Sequence, residues 1–191
     1  MDYTLVAAIS YLFGSIPFGF ILTKIILKRD IREIGSGNIG ATNALRSGNK
    51  LVGYLTLLLD VSKAIIPIIY IKYNYSELIF ISSLCVFLGH LFPVWLKFNG
   101  GKGVATYLGI LISINFYMGL VFGLIWIITF LISKYSSLSS ILASMAVPIY
   151  IFLISEKNVF FYIIMFILIF YSHRQNIKRL INKEEIKTKI Y

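Results

Sequence analysis

Cysteine and charge are both scarce in this chain. Cys85 stands alone among 191 residues, which excludes an intrachain disulfide and a cysteine-built metal cluster. Charged residues amount to 14%, far below what a soluble domain of this length carries. A basic region ahead of the first apolar run is also missing. Asp2 is the only early charge, so the N-terminus is expected to remain as a span and not to be cleaved as a signal peptide.

What fills the space is apolar: 58% hydrophobic residues and a mean hydropathy of +0.84. Runs near or above ~18 apolar residues recur, the signature of membrane-spanning helices. The expected class is therefore an all-α integral membrane protein. The net charge of +10 invites a nucleic-acid partner. The simpler account is that lysine and arginine gather in loops kept on the cytoplasmic side, so no nucleic acid is expected.

Apolar segments run at about 3–27, 51–71, 78–96, 104–133, 138–155 and 159–172. The fourth is too long for one span, because 30 residues of helix would run ~45 Å against a hydrocarbon core of ~30 Å. Split near Asn115 into 104–114 and 117–133, it yields seven helices with the N-terminus outside and the C-terminus cytoplasmic. Fourteen basic loop and tail residues then face inward, and only Lys72 and Lys157 face outward. Left whole, it puts eight on each face. The positive-inside rule favours seven helices, all in one domain over 1–191. The polar segments 28–50, 97–103, 134–140 and 173–180 then share the cytoplasmic side, which places the functional face there. The last helix is expected to continue past His173.

Those segments carry the chemistry. Residues 35–50 are dense in small hydroxyl and amide side chains: Ser36, Asn38, Thr42 and Asn43, with Arg46 as a planar fork for phosphate or carboxylate. They serve equally as turn formers in a surface loop. Gly35, Gly37 and Gly40 satisfy a dinucleotide fingerprint, but the strand it requires is missing. Asp60 and Lys63, one turn apart inside a span, read as an ion pair bracing the site. His90 either bonds a neighbour or shapes the site.

Residues 97–106, Lys-Phe-Asn-Gly-Gly-Lys-Gly-Val-Ala-Thr, form a glycine-rich break that leads straight into a helix. Glycines bring backbone N–H groups close to an anion, Lys102 adds a positive charge, and the helix N-terminus adds its dipole. This spacing is not the nucleotide P-loop, and no acid is placed to hold magnesium. Ser136, Ser137, Ser139 and Ser140 open the next-to-last span, either as helix caps or, for Ser137 and Ser140 on one face, as ligands. His173 and Asn176 lie three apart where the last helix reaches the interface. Lys183 to Tyr191 read as a solvated charge run.

Taken together, Ser36-Gly-Asn-Ile-Gly-Ala-Thr-Asn43 with Arg46, Gly89-His-Leu-Phe-Pro93 through Gly100-Gly-Lys-Gly-Val-Ala-Thr106, and His173-Arg-Gln-Asn-Ile-Lys-Arg-Leu180 resemble three motifs of one family. These are the bacterial acyl-phosphate-dependent glycerol-3-phosphate acyltransferases of the inner membrane. Length, order and spacing agree along essentially the whole chain. One departure is Asn182-Lys183-Glu184-Glu185, which stands where a glycine more usually precedes the acid.

The resemblance implies a multi-pass inner-membrane enzyme that transfers a fatty acyl group from acyl phosphate to the 1-hydroxyl of glycerol 3-phosphate. The products would be lysophosphatidic acid and inorganic phosphate, for phospholipid synthesis. It implies no cofactor, no metal, no coenzyme A or acyl carrier protein, and no obligate protein partner. It implies that Ser36, Asn38, Thr42, Gly100, Gly101, Lys102, Gly103 and Thr106 hold the acyl phosphate. Arg46, Ser137, Ser140, His173 and Asn176 would hold glycerol 3-phosphate, with Lys102 shared. Asn43, Asp60, Lys63 and His90 would support them, and His173, Lys102 and Ser36 would act at the reacting atoms. The His-x4-Asp pair of other acyltransferases is lacking, since positions 95 and 178 are Trp and Lys. A transporter of an organic phosphate would use the same anchors, but the outer loops are short and no inverted repeat is present.

Overall fold

The computed structural model describes residues 2–188, and no strand occurs among them. The chain forms two compact units, one ending at Ile114 and the other beginning at Asn115. The first holds α1 (Tyr3–Ser15), α2 (Phe18–Leu27), α3 (Ala41–Arg46), α4 (Lys50–Asn74), α5 (Ile79–Leu91) and α6 (Val104–Ile114). The second holds α7 (Phe116–Ser133), α8 (Ser136–Leu153), α9 (Val159–Ser172) and α10 (Arg174–Ile181).

Burial is inverted relative to a soluble protein. Ser10, Thr23, Thr56, Ser82, Ser139 and Ser144 are at most 1% exposed, whereas Ile132 is 81% and Phe160 77% exposed. Hydroxyls inside and large hydrophobes outside suit a lipid surround, where small polar residues join helices and apolar faces meet acyl chains. Five stretches are long and apolar enough to cross a membrane: 3–27, 50–74, 76–96, 116–133 and 136–153. Val104–Ile114 and Val159–Ser172 are shorter apolar helices.

The first apolar stretch is not the single helix expected over 3–27. It breaks between Ser15 and Phe18, with Ile16 in extended backbone ahead of Pro17. Proline lacks the N–H that a helix needs and disfavours helical backbone at the residue before it. At the break Ile16 O accepts two bonds, one of 3.1 Å from Phe18 N and one of 2.8 Å from Lys63 Nζ. The same ammonium lies 2.7 Å from Asp60 Oδ1, both side chains 2–3% exposed. The sequence-expected pair thus forms, and it also joins α4 to the break.

Close contact of α1 with α5 explains the small residues on both. Ser10 and Ser82 hydroxyls lie 2.8 Å apart, and a Cβ at Gly14 would enter the Val86 backbone. Tyr11 donates to Phe92 O at 2.7 Å and Trp95 Nε1 to Ser15 Oγ at 2.9 Å, pinning the turn after α5.

Helix α6 has only 11 residues, about 16 Å of rise. Its last carbonyls, of Ser113 and Ile114, accept 2.8 and 3.0 Å bonds from Lys72 Nζ on α4, a cation at the negative end of the helix. Asn115 then caps α7, its side chain accepting from Tyr117 N at 2.9 Å. Beyond α9 the chain continues helically, but through a turn at His173, whose N–H reaches Ile169 O and whose carbonyl accepts from Ile177 N.

Replacing Lys63 with Met leaves Asp60 buried and unpaired, which costs on the order of 3–5 kcal/mol. The double variant D60N/K63M is expected to regain most of the melting temperature lost by K63M. Thermal unfolding of the purified protein in detergent checks this.

Candidate active site

In the first unit, the loop at 31–40 is closed by one side chain. Asn43, 2% exposed at the start of α3, accepts from Ser36 N at 2.9 Å. Its amide nitrogen donates to the carbonyls of Ile31, Ile34 and Asn38 at 2.8–3.1 Å. Asn43 is therefore a loop staple and both its polar ends are occupied. Asn38 Oδ1 accepts from Gly40 N at 2.8 Å, a local turn. Both features hold the half-buried Ser36, Asn38, Thr42 and Arg46 on one short stretch, with the Arg46 stem against Gly35.

The glycine break lies on the end of α5. Gly100 N donates to Leu91 O and Gly101 N to His90 O, both at 3.1 Å. This corrects the expectation that residues 100–103 offer their amides together to a ligand, because two of those amides bond the chain itself. The first turn of α6 follows, where a helix leaves its leading N–H groups without an intrahelical acceptor. The glycines answer to close approach. A Cβ at Gly101 would strike the His90 ring, and one at Gly103 would strike Phe87. Gly103 also holds φ +82°, a conformation disfavoured for any other residue. Thr106 is fully buried one turn into α6, and its hydroxyl has no hydrogen-bond partner.

In the second unit, the serines that open α8 do not cap it; Tyr135 holds the N-cap position and makes no side-chain cap bond. Ser139 and Ser140 bond back to the carbonyls of Tyr135 and Ser136, and Ser140 also accepts from Trp126 Nε1 at 3.0 Å. Ser137 instead donates to Glu185 Oε1 at 2.9 Å. Asn176 Nδ2 donates to the same oxygen and Arg179 Nε to Oε2, both at 2.7 Å. The tail is thus no uniformly solvated charge run. The side chain of Glu185 is 6% exposed and gathers Ser137, Asn176 and Arg179 around one carboxylate. Burial alone would raise that carboxyl, and the bonds from Arg179, Asn176 and Ser137 outweigh it, holding it below the ordinary glutamate value.

His173 is 1% exposed, with Nδ1 2.8 Å from Ile169 O. A carbonyl only accepts, so Nδ1 carries the hydrogen and Nε2 offers the lone pair in the neutral ring. That tautomer is competent to take a proton or, once protonated, to donate from Nε2. No group of three or more His, Cys, Asp or Glu side chains that could hold a metal ion occurs among the described residues.

Two polar clusters, each beside a basic residue, are what an enzyme of phosphorylated substrates would display. The profile of the glycerol-3-phosphate acyltransferase family matches residues 4–183. The chain belongs to that family. A glycerol-3-phosphate acyltransferase of Pelagibacter ubique is 68% identical over the full length of both chains. That of Bartonella henselae is 49% identical over 96% of this chain and 90% of its own. A crystal structure of PlsY (YgiH), an integral membrane glycerol 3-phosphate acyltransferase in its glycerol 3-phosphate form, superposes with a TM-score of 0.93 at 36% identity. It covers 98% of this chain and 96% of that one. The lysophosphatidic acid form gives 0.87 over 97% and 94%. This chain is thus an integral membrane acyltransferase.

Glu185 escaped sequence reasoning because an acid in a charged tail carries no periodic signal; its position in the third motif was the one available cue. Its contribution to stability is expected above the ordinary glutamate range and should be lost as pH falls through its lowered value. Glu185→Gln should reduce stability by about 1–3 kcal/mol at neutral pH and flatten the acid limb. Melting curves of both forms from pH 3 to 8 measure this.

Proposed function

We propose that this acyltransferase moves a fatty acyl group from acyl phosphate to the 1-hydroxyl of glycerol 3-phosphate. It would act from the cytoplasmic side of the bacterial inner membrane, through seven spans with an outside N-terminus. The observation that carries the reading is the glycine break running straight into the N-terminus of α6 with Lys102 at its centre. Helix amides, a positive dipole end and an ammonium together suit a phosphate whose negative charge grows as it leaves. The glycerol 3-phosphate and lysophosphatidic acid forms of PlsY support the acceptor and the product.

In this reading Lys102, the α6 first turn with Thr106, and Ser36, Asn38 and Thr42 seat the acyl phosphate. Arg46 and Lys102 receive the phosphate of glycerol 3-phosphate, Lys102 serving both substrates, while Ser137, Ser140 and Asn176 stay in the bonds that the second unit gives them. The acceptor oxygen bonds to the acyl carbon, the carbon–oxygen bond to phosphate breaks, and the hydroxyl proton ends on a phosphate oxygen. Acyl phosphate is already an activated mixed anhydride, so positioning and charge neutralisation supply the remaining rate enhancement. The substrate's own phosphate accepts the proton, and His173, in its protonated form, orients the acceptor by donating from Nε2.

Purified protein in detergent should release inorganic phosphate from palmitoyl phosphate only when glycerol 3-phosphate is added. Absence of release, with uptake of glycerol 3-phosphate into vesicles, would overturn the reading. His173→Gln should retain part of the activity that His173→Ala loses; equal, near-complete loss in both would make His173 the base. A fluorescent protein fused after residue 191 should fluoresce in cells, and an alkaline phosphatase fused there should be inactive. The reverse pair of results would invert the topology.

A further inference from the structure

One face of α5 forms the floor of the glycine break. Phe87 and His90 stand one turn apart on it. Gly103 rests on the Phe87 ring and Gly101 on the His90 ring, closely enough that a Cβ at either would collide. His90 holds the break twice, once through this ring contact and once through its carbonyl, 3.1 Å from Gly101 N.

Behind the ring lies a carboxylate. His90 Nδ1 faces Asp60 Oδ1 at 3.9 Å, with the two side chains 4% and 3% exposed. His90 Nδ1 makes no hydrogen bond, and Asp60 Oδ1 has only its ion pair with Lys63. Lys63 in turn bonds Ile16 O. A continuous line of polar groups therefore runs from the break in the first apolar stretch, through α4 and α5, to the underside of the glycine break. A buried carboxylate 3.9 Å from a buried imidazole favours, through its charge, the ring orientation that turns an N–H toward it. With Nδ1 turned to Asp60, Nε2 is committed to the side of Gly101.

We propose that Asp60 and His90 are positioning residues that set the height and tilt of the glycine break from below, Asp60 orienting the ring on which Gly101 rests. The inference rests on the proposed seating of a phosphate at the start of α6. A floor that rocks would misaim the α6 amides, and displacements near 1 Å cost about a hundredfold in well-aligned sites.

The test uses the full chain with His90→Ala, His90→Gln and the charge-balanced double variant D60N/K63M. It reads amide hydrogen exchange at Gly100 and Gly101, and separately kcat and KM for palmitoyl phosphate. His90→Ala and D60N/K63M should each speed exchange at both glycines and lower kcat/KM about tenfold, with a fall in kcat as part of it. His90→Gln should recover part of both effects. Unchanged exchange at these glycines, or an unchanged kcat/KM, would overturn the proposal. So would changes that merely parallel the melting temperature and spread over the whole chain. If His90→Ala does not fold, D60N/K63M carries both readouts. If the parent does not turn over palmitoyl phosphate, the proposed reaction fails, and the exchange measurement still decides the positioning role.

Discussion

Inside a bilayer every backbone polar group must find its partner within the protein, and the first unit is arranged around that constraint. It interrupts its apolar helices, and side chains or neighbouring backbone answer at each interruption. Lys63 joins Phe18 N in bonding the carbonyl before Pro17. The carbonyls ending α5 receive the amides of Gly100 and Gly101. Lys72 takes the carbonyls ending α6. Two lysines that composition alone would assign to solvent or to a charge count thus act as helix caps.

Much of this was legible in the sequence, and the reason is periodicity. Long apolar runs announced helices, the excess length of 104–133 announced a division, and an acid and a base three apart announced a pair on one face. Partners distant along the chain were not legible. Nothing local to Lys63 indicates that Ile16 is its acceptor, 47 positions away, and nothing local to Ser137 indicates Glu185, 48 positions on. The serines of α8 illustrate the limit: their residue type suggested caps, and the fold uses them to bond back along the helix or across to the tail.

The glycine break carries a similar lesson at finer scale. Its composition announced a close approach, and a close approach is present. The first partner approached is the chain's own α5, through Gly100, Gly101 and Gly103. Donors for an anion come from the helix that follows. In the second unit, the carboxylate of Glu185 ties Ser137 on α8 to Asn176 and Arg179 on α10, so the third motif folds around its own acid.

The shortness of α6 has a consequence for how reactants arrive. Asp60 sits near the middle of the 25-residue α4, and the floor of the glycine break sits beside it. A phosphate held at the start of α6 would lie about half the length of α4 from its ends, close to the Asp60–Lys63 pair. A water-soluble ester must shed its hydration to reach that depth, whereas a fatty chain is already at home there. In the proposed reaction the two reactants would then differ in direction of approach, one descending from solvent and the other sliding in from the lipid.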